Sequence, residues 1–133
     1  ARAVFERVMD LDNRAAVAAN NLAWIHAEHG GDLDVALRLA QTAKARLPDQ
    51  PEVNDTLGWV YYKKGMGSQA IVPLLEATNS DPENAGYHHH LGRALAAIGN
   101  TAEAREMLQK AVALNPASSD VAEARQLIAR LGR

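Results

Sequence analysis

The chain has 133 residues, 47% of them apolar but only 5% aromatic, with 14 basic and 16 acidic side chains, five histidines and no cysteine. A net charge of −2 on interspersed signs lacks the dense positive field that phosphate backbones reward, which argues against nucleic acid as a partner. Without cysteine there is no disulfide, thiolate catalysis or Cys-based zinc site, and no apolar run approaches the roughly 20 residues that span a bilayer.

Two spacings organise the rest. Ala36, Ala70 and Ala104 recur at one fixed interval, and Pro48, Pro82 and Pro116 recur at the same interval of 34. A period of this size marks stacked supersecondary units that bury apolar surface against their neighbours. The composition favours residues that lose little on entering a helix, so the units are predicted to be helical.

Residues 1–13, ARAVFERVMDLDN, align with AREMLQKAVALNP at 104–116. They are predicted to be the second helix of a preceding unit whose first helix is missing, which makes the chain the C-terminal end of a longer array. Val4, Phe5 and Val8 then lie on an uncovered apolar edge, an expected route to self-association. Unit 1 spans 14–50. Its first helix registers on Asn20-Asn21-Leu22-Ala23-Trp24, so that Leu22 answers Leu57 and Leu91. Gly30-Gly31 then carries one extra residue, an insertion that a glycine turn accepts at little cost. The paired acids Asp10/Asp12 and Asp32/Asp34 are read as caps and solvated charge at helix ends.

Unit 2 spans 51–84 and splits at Gly65–Gly67 into two amphipathic segments. Leu57, Val60 and Tyr61 form one apolar face, and Ile71, Leu74, Leu75 and Thr78 another, both at helical spacing. Pro73 inside the second segment removes one backbone bond and predicts a mild bend. Unit 3 spans 85–117 and splits at Gly99–Asn100, with Asn100 or Thr101 opening its second helix and Glu103 soon after. Pro82 and Pro116 close the second helices, since proline cannot continue them. Residues 118–133 carry Arg125 and Gln126 where the repeat has Leu-Gly. An apolar stripe of Val121, Ala124, Ile128 and Leu131, charged elsewhere, predicts a capping helix over the last apolar face. Ser118 or Ser119 is expected to cap its start and Gly132 to mark its stop.

Leu57-Gly58 followed by Tyr61, Gly65, Ala70, Leu74, Ala77 and Pro82 resembles the tetratricopeptide repeat (TPR) signature. Leu91-Gly92, Gly99, Ala104, Leu108, Ala111 and Pro116 match it again, and Leu22-Ala23, Ala36, Ala43 and Pro48 match more loosely. Departures are Leu95 in place of an aromatic, Ala40 in place of a bulky residue, and Pro73. The resemblance covers essentially the whole chain. It implies an all-α fold, a right-handed superhelical α-solenoid of antiparallel helix–turn–helix repeats: three full units, a preceding half-unit and a capping helix. In physical terms, Gly58 and Gly92 on first helices must face Ala70 and Ala104 on second helices, because close helix approach needs small side chains.

The same resemblance implies a protein-interaction scaffold whose first helices line a concave groove for a peptide or partner segment. Carried over by register, the groove residues are Asn20, Asn21 and Trp24 in unit 1, Asp55, Trp59, Tyr62 and Lys63 in unit 2, and His89, His90 and Arg93 in unit 3. Trp24, Trp59 and Arg93 are equivalent positions and are expected to form one stripe, with tryptophans packed between first helices as the plainer alternative. Trp and Arg are the types most enriched in binding hot spots. The family's grip on a C-terminal carboxylate uses Lys, Arg and Asn on successive first helices. Here Asp55 and the tryptophans interrupt that set, so an apolar or mixed peptide is expected. The Asn-Asn-Leu-Ala-Trp and Leu-Gly-Trp-Val-Tyr-Tyr-Lys-Lys-Gly runs resemble bacterial members, several of which work at the cell envelope or in secretion. A regulatory C-terminal part of a larger envelope protein or enzyme is therefore a further reading.

His88-His89-His90 point about 100° apart on a helix and cannot converge on one ion, so no metal site is predicted. The expected state is two groove or surface histidines and one partly packed. His26 and His29 sit at a helix end, where a cation favours the dipole. Nothing resembles a nucleophile elbow, a phosphate-cradling loop or a zinc-binding helix, so neither catalysis nor a cofactor is expected.

Overall fold

The computed structural model describes residues 2–132 and, within that range, leaves the side chains of Arg2, Phe5 and Met9 undescribed. Seven helices follow one another: α1 (Arg2–Glu28), α2 (Leu33–Arg46), α3 (Pro51–Lys63), α4 (Gly67–Ser80), α5 (Ala85–Ala97), α6 (Thr101–Leu114) and α7 (Val121–Leu131). Helices pack as hairpins, α1 on α2, α3 on α4 and α5 on α6. Each second helix also packs on the next first helix, ending with α6 on α7. The first helices α1, α3 and α5 touch their neighbours as well, which makes a continuous α-solenoid.

Each hairpin turns the same way. Gly30, Gly65 and Gly99 sit at φ of 71°, 78° and 83°, a left-handed conformation that glycine adopts without Cβ strain. The residue after each one donates back five positions, from Gly31 to His26, Met66 to Tyr61 and Asn100 to Leu95, each at 2.9 Å. This closes the end of each first helix with a Schellman-type bond that satisfies an orphan carbonyl. In units 2 and 3 the residue after that glycine is already the N-cap, Met66 or Asn100. In unit 1 one more residue follows before the N-cap Asp32, whose carboxylate accepts from Asp34 N and Val35 N. The extra residue of unit 1 is thus absorbed between turn and cap.

Small side chains set how close the helices come. A Cβ on Gly58 would lie 3.0 Å from the Ala70 carbonyl oxygen and 2.4 Å from Leu74 Cγ; on Gly92 it would lie 3.2 Å from the Ala104 carbonyl oxygen and 2.7 Å from Leu108 Cγ. The core runs as two linked clusters, one around Ala23, Ala36, Leu57 and Val60, the other around Ala70, Leu74, Leu91 and Ala104. Behind the stack, Lys44 Nζ donates to Pro48 O, to the buried Asn54 Oδ1 and to Glu76 Oε2 at 2.8, 2.6 and 2.9 Å, tying α2, α3 and α4 together. Helix α4 continues through the buried Pro73 without interruption.

Three expectations are corrected. Residues 2–13 are not a separate helix, because α1 runs unbroken from Arg2 to Glu28 over 27 residues. The residue in the register of Pro48, Pro82 and Pro116 is Asn13, which keeps its N–H, and the following Arg-Ala-Ala-Val-Ala-Ala run favours helix. Asp10 and Asp12 consequently lie inside a helix, and Asp10 pairs with Arg14 one turn on at 3.1 Å. The start of α7 has Asp120 at the N-cap position, while Ser118 Oγ accepts from Asp120 N at 3.2 Å. Ala1 and Arg133, the outer bounds assigned to the first and last segments, lie outside the described residues.

Candidate functional site

The faces of α1, α3 and α5 that point away from the second helices form one strip with three recesses. The first, about 420 Å³, is lined by Asn20, Asn21, Trp24, Ile25, Asp55 and Tyr87 among others. The second, about 370 Å³, lies among Trp24, Glu28, Trp59, Lys63, His90 and Glu123. The third, about 450 Å³, is bounded by Tyr62, Arg93, Glu123, Leu127 and Arg130. Trp24 lines both of the first two, and Arg93 and Glu123 line both of the last two, so the recesses adjoin one another along the strip.

A ladder of rings runs through this strip. The His90 ring from α5 stacks on Trp59 of α3 at 4.2 Å and meets Trp24 of α1 at 5.6 Å. Trp59 stacks in turn on Tyr62 at 4.8 Å with planes 16° apart. Lys63 Nζ lies 5.2 Å from the Trp59 ring and Arg93 lies over Tyr62 at 5.8 Å, so cations flank the rings where the π faces attract them. Hydrogen bonds fix the rungs: His90 Nδ1 with Asp55 Oδ1 at 2.7 Å, Trp59 Nε1 to Glu28 Oε1 at 2.5 Å, and Arg93 to Tyr62 OH and Glu123, both at 3.3 Å.

A family model described as tetratricopeptide repeat matches residues 61–131, more than half of the chain. The chain belongs to the tetratricopeptide repeat family. Comparison with curated protein sequences finds no match. Among solved structures, a thermophilic TPR protein of Thermus thermophilus is 26% identical, with a TM-score of 0.72 over 97% of this chain and 70% of that one. The first TPR of Spaghetti (RPAP3), bound to an HSP90 peptide, is 16% identical, with a TM-score of 0.78 over 91% of this chain and 96% of that one. The second TPR domain of human RPAP3, in complex with an HSP70 peptide, is 14% identical, with a TM-score of 0.76 over 94% of this chain and 98% of that one. At 14 and 16% identity the two RPAP3 domains are likenesses of fold.

Within this TPR stack the ten register-assigned residues all line the strip, but in different roles. Asn21 and Lys63 are exposed, and Trp24, Tyr62, His90 and Arg93 are half-buried. Trp59 is only 6% exposed and Asp55, Asn20 and His89 are equally enclosed. Trp59 therefore packs between first helices, the plainer alternative, because the following repeat lays His90 across its face. Trp24 and Trp59 meet through His90 rather than side by side. His88 is buried with Nε2 bonded to Pro82 O at 2.7 Å, so the histidine triplet is far more enclosed than expected. Among the described residues no three His, Cys, Asp or Glu side chains are placed to hold one metal ion.

The acids Glu28, Asp120 and Glu123 were not among the sequence-assigned residues. Register carried the signal for two of them: Glu28 is the unit 1 equivalent of Lys63, and Glu123 continues the series Asn20, Asp55, His89 into the cap. Burial drives the His89 imidazole below its ordinary value of 6.5, helped by the neighbouring His90 and opposed by Asp120 and Glu123. A histidine pKa lowered by folding means the unfolded chain takes up the proton first. Stability from this group is thus complete above about pH 6.5 and is lost as pH falls through the folded value. Chemical denaturation at about pH 7.5 and about pH 5.5 is expected to show a larger loss for the wild type than for His89→Gln. Equal losses would remove His89 as the source.

Proposed function

We propose that this chain is a protein-interaction scaffold that holds an extended peptide or partner segment along the strip formed by α1, α3 and α5. The observation that carries the reading is the row of three adjoining recesses around a preorganised ring ladder. Rings and cations already fixed by mutual stacking lose little freedom when a ligand docks. Asp55, Glu28 and Glu123 offset Lys63 and Arg93, so the strip is not a cationic clamp. It favours a mixed segment with an apolar side chain against Trp24 and an acidic or amide group toward Arg93. The TPR domains of RPAP3 that carry chaperone peptides support the reading by fold.

The test is selection from a displayed library of unstructured peptides, followed by titration calorimetry of the recovered sequences. Trp24→Ala and Arg93→Ala are each expected to weaken binding by about tenfold or more, a typical hot-spot loss. Lys110→Ala on the outer face serves as the control. Recovered peptides that bind both groove variants as tightly as wild type would overturn the groove assignment.

A further inference from the structure

Helix α1 carries a second apolar face that, among the described residues, no other helix covers. Val4, Val8, Leu11, Leu22 and Ile25 are all exposed, with the exposed Ala15 and Ala18 between them. Their spacing alternates four and three residues over the whole length of α1, the 3.5-residue repeat of a helix-pairing seam. The following repeats show what such a face is for. Leu22 and Ile25 are 44% and 51% exposed, whereas their equivalents Leu57 and Val60 in α3 are 7% and 0% exposed beneath the preceding unit. Likewise Val8 is 49% exposed, whereas Ala43, its equivalent in α2, faces the following unit with no exposure at all.

Both halves of one inter-repeat interface therefore lie on the same helix. The N-terminal half has the sequence of a second helix and the C-terminal half that of a first helix. In the rest of the stack these two kinds of helix pack against each other antiparallel, α2 on α3 and α4 on α5. Because Asn13 stands where proline would break the helix, α1 cannot fold back to make that contact within one chain.

We propose that a second copy of this chain makes it: two α1 helices pair antiparallel, each N-terminal half lying on the other's Leu22–Ile25 face. In the register that sets Val8 against Ile25 of the second copy and Leu11 against its Leu22, the centre of the seam is Ala15 against Ala18, which allows close approach. The same register brings Arg7 beside Glu28 of the second copy, and two-fold symmetry makes that opposite-charge pair twice. Two-fold pairing uses each face once and closes the assembly.

Sedimentation equilibrium over about 1–200 μM, a range matched to weak and moderate dimers, reads the mass against the 14.3 kDa of one chain. The expected result is a dimer, with Val8→Glu or Ile25→Glu raising its dissociation constant at least about 100-fold at unchanged helicity, because both side chains are exposed in the single copy. Arg7→Glu is expected to weaken it and Arg7→Glu with Glu28→Arg to restore it. The chain has no cysteine, so orientation is read directly: single variants Val8→Cys and Ile25→Cys, mixed and oxidised, are expected to link to each other and not to themselves. A monomer throughout the range would overturn the proposal and leave the seam to another occupant. So would a dimer indifferent to Ile25→Glu, or self-linking of each single variant.

Discussion

Trp59→Ala is expected to lower the unfolding free energy by about 3–5 kcal/mol, the range for removing a large buried aromatic. The indole is 6% exposed and belongs to the cluster of Ala23, Ala36, Leu57 and Val60. It also meets rings from its own helix and from the next repeat, Tyr62 at 4.8 Å and His90 at 4.2 Å. Loss of the indole leaves a void bordered by α1, α3 and α5, three helices that the hairpins hold apart, so collapse around it is incomplete. Trp59→Phe separates packing from polarity. It keeps a ring in the stack and removes the bond to Glu28, and about 1 kcal/mol is expected for a hydrogen bond to a partly exposed carboxylate. Urea denaturation followed by far-ultraviolet circular dichroism gives both numbers. A loss below about 1 kcal/mol for Trp59→Ala would mean that the indole is a surface group, and Trp59 would return to the partner-contacting set.

The repeat itself was legible from residue spacing because three requirements recur at fixed positions. A left-handed glycine ends each first helix, a small residue sits at each close crossing, and a proline follows each second helix. Each is imposed by local backbone geometry, so each leaves a mark in one residue. The join at Asn13 was misread for the complementary reason. Alignment supplied a boundary where the residue that enforces it is missing, and the alanine-rich stretch that follows extends the helix. The candidate strip was legible as a set of positions but not as an arrangement. Register places Trp24 and Trp59 on equivalent faces, yet which rings touch depends on how far one repeat rotates on the next. That rotation brings His90, from the third unit, between tryptophans of the first two. It also decides that Trp59 is enclosed while Tyr62, one turn later, stays half open.

Gly58→Ala is expected to destabilise the protein by about 1–3 kcal/mol although it replaces glycine within a helix. Helix propensity alone favours alanine by about 0.5–1 kcal/mol. Against this, the new methyl would stand 2.4 Å from Leu74 Cγ, 2.8 Å from Leu74 Cδ2 and 3.0 Å from the Ala70 carbonyl oxygen. Leu74 is fully buried and has nowhere to turn, so the hairpin must open or the leucine must leave its rotamer. Leu74→Ala by itself is expected to lose about 3–5 kcal/mol through the cavity it leaves. The two changes should not add. Once Leu74 lacks Cγ and Cδ, the two closest contacts of the Gly58→Ala methyl are gone, the 3.0 Å approach to the Ala70 carbonyl oxygen remains, and the methyl partly refills the cavity. The double variant is then expected to be more stable than the sum of singles by about 1–2 kcal/mol. Additivity within about 0.5 kcal/mol would show that the glycine is not held by this leucine. Gly92 and Leu108 repeat the geometry one unit later, with the corresponding distances at 2.7 and 2.9 Å. The same cycle there is expected to give the same sign and a smaller coupling, because the contact is looser.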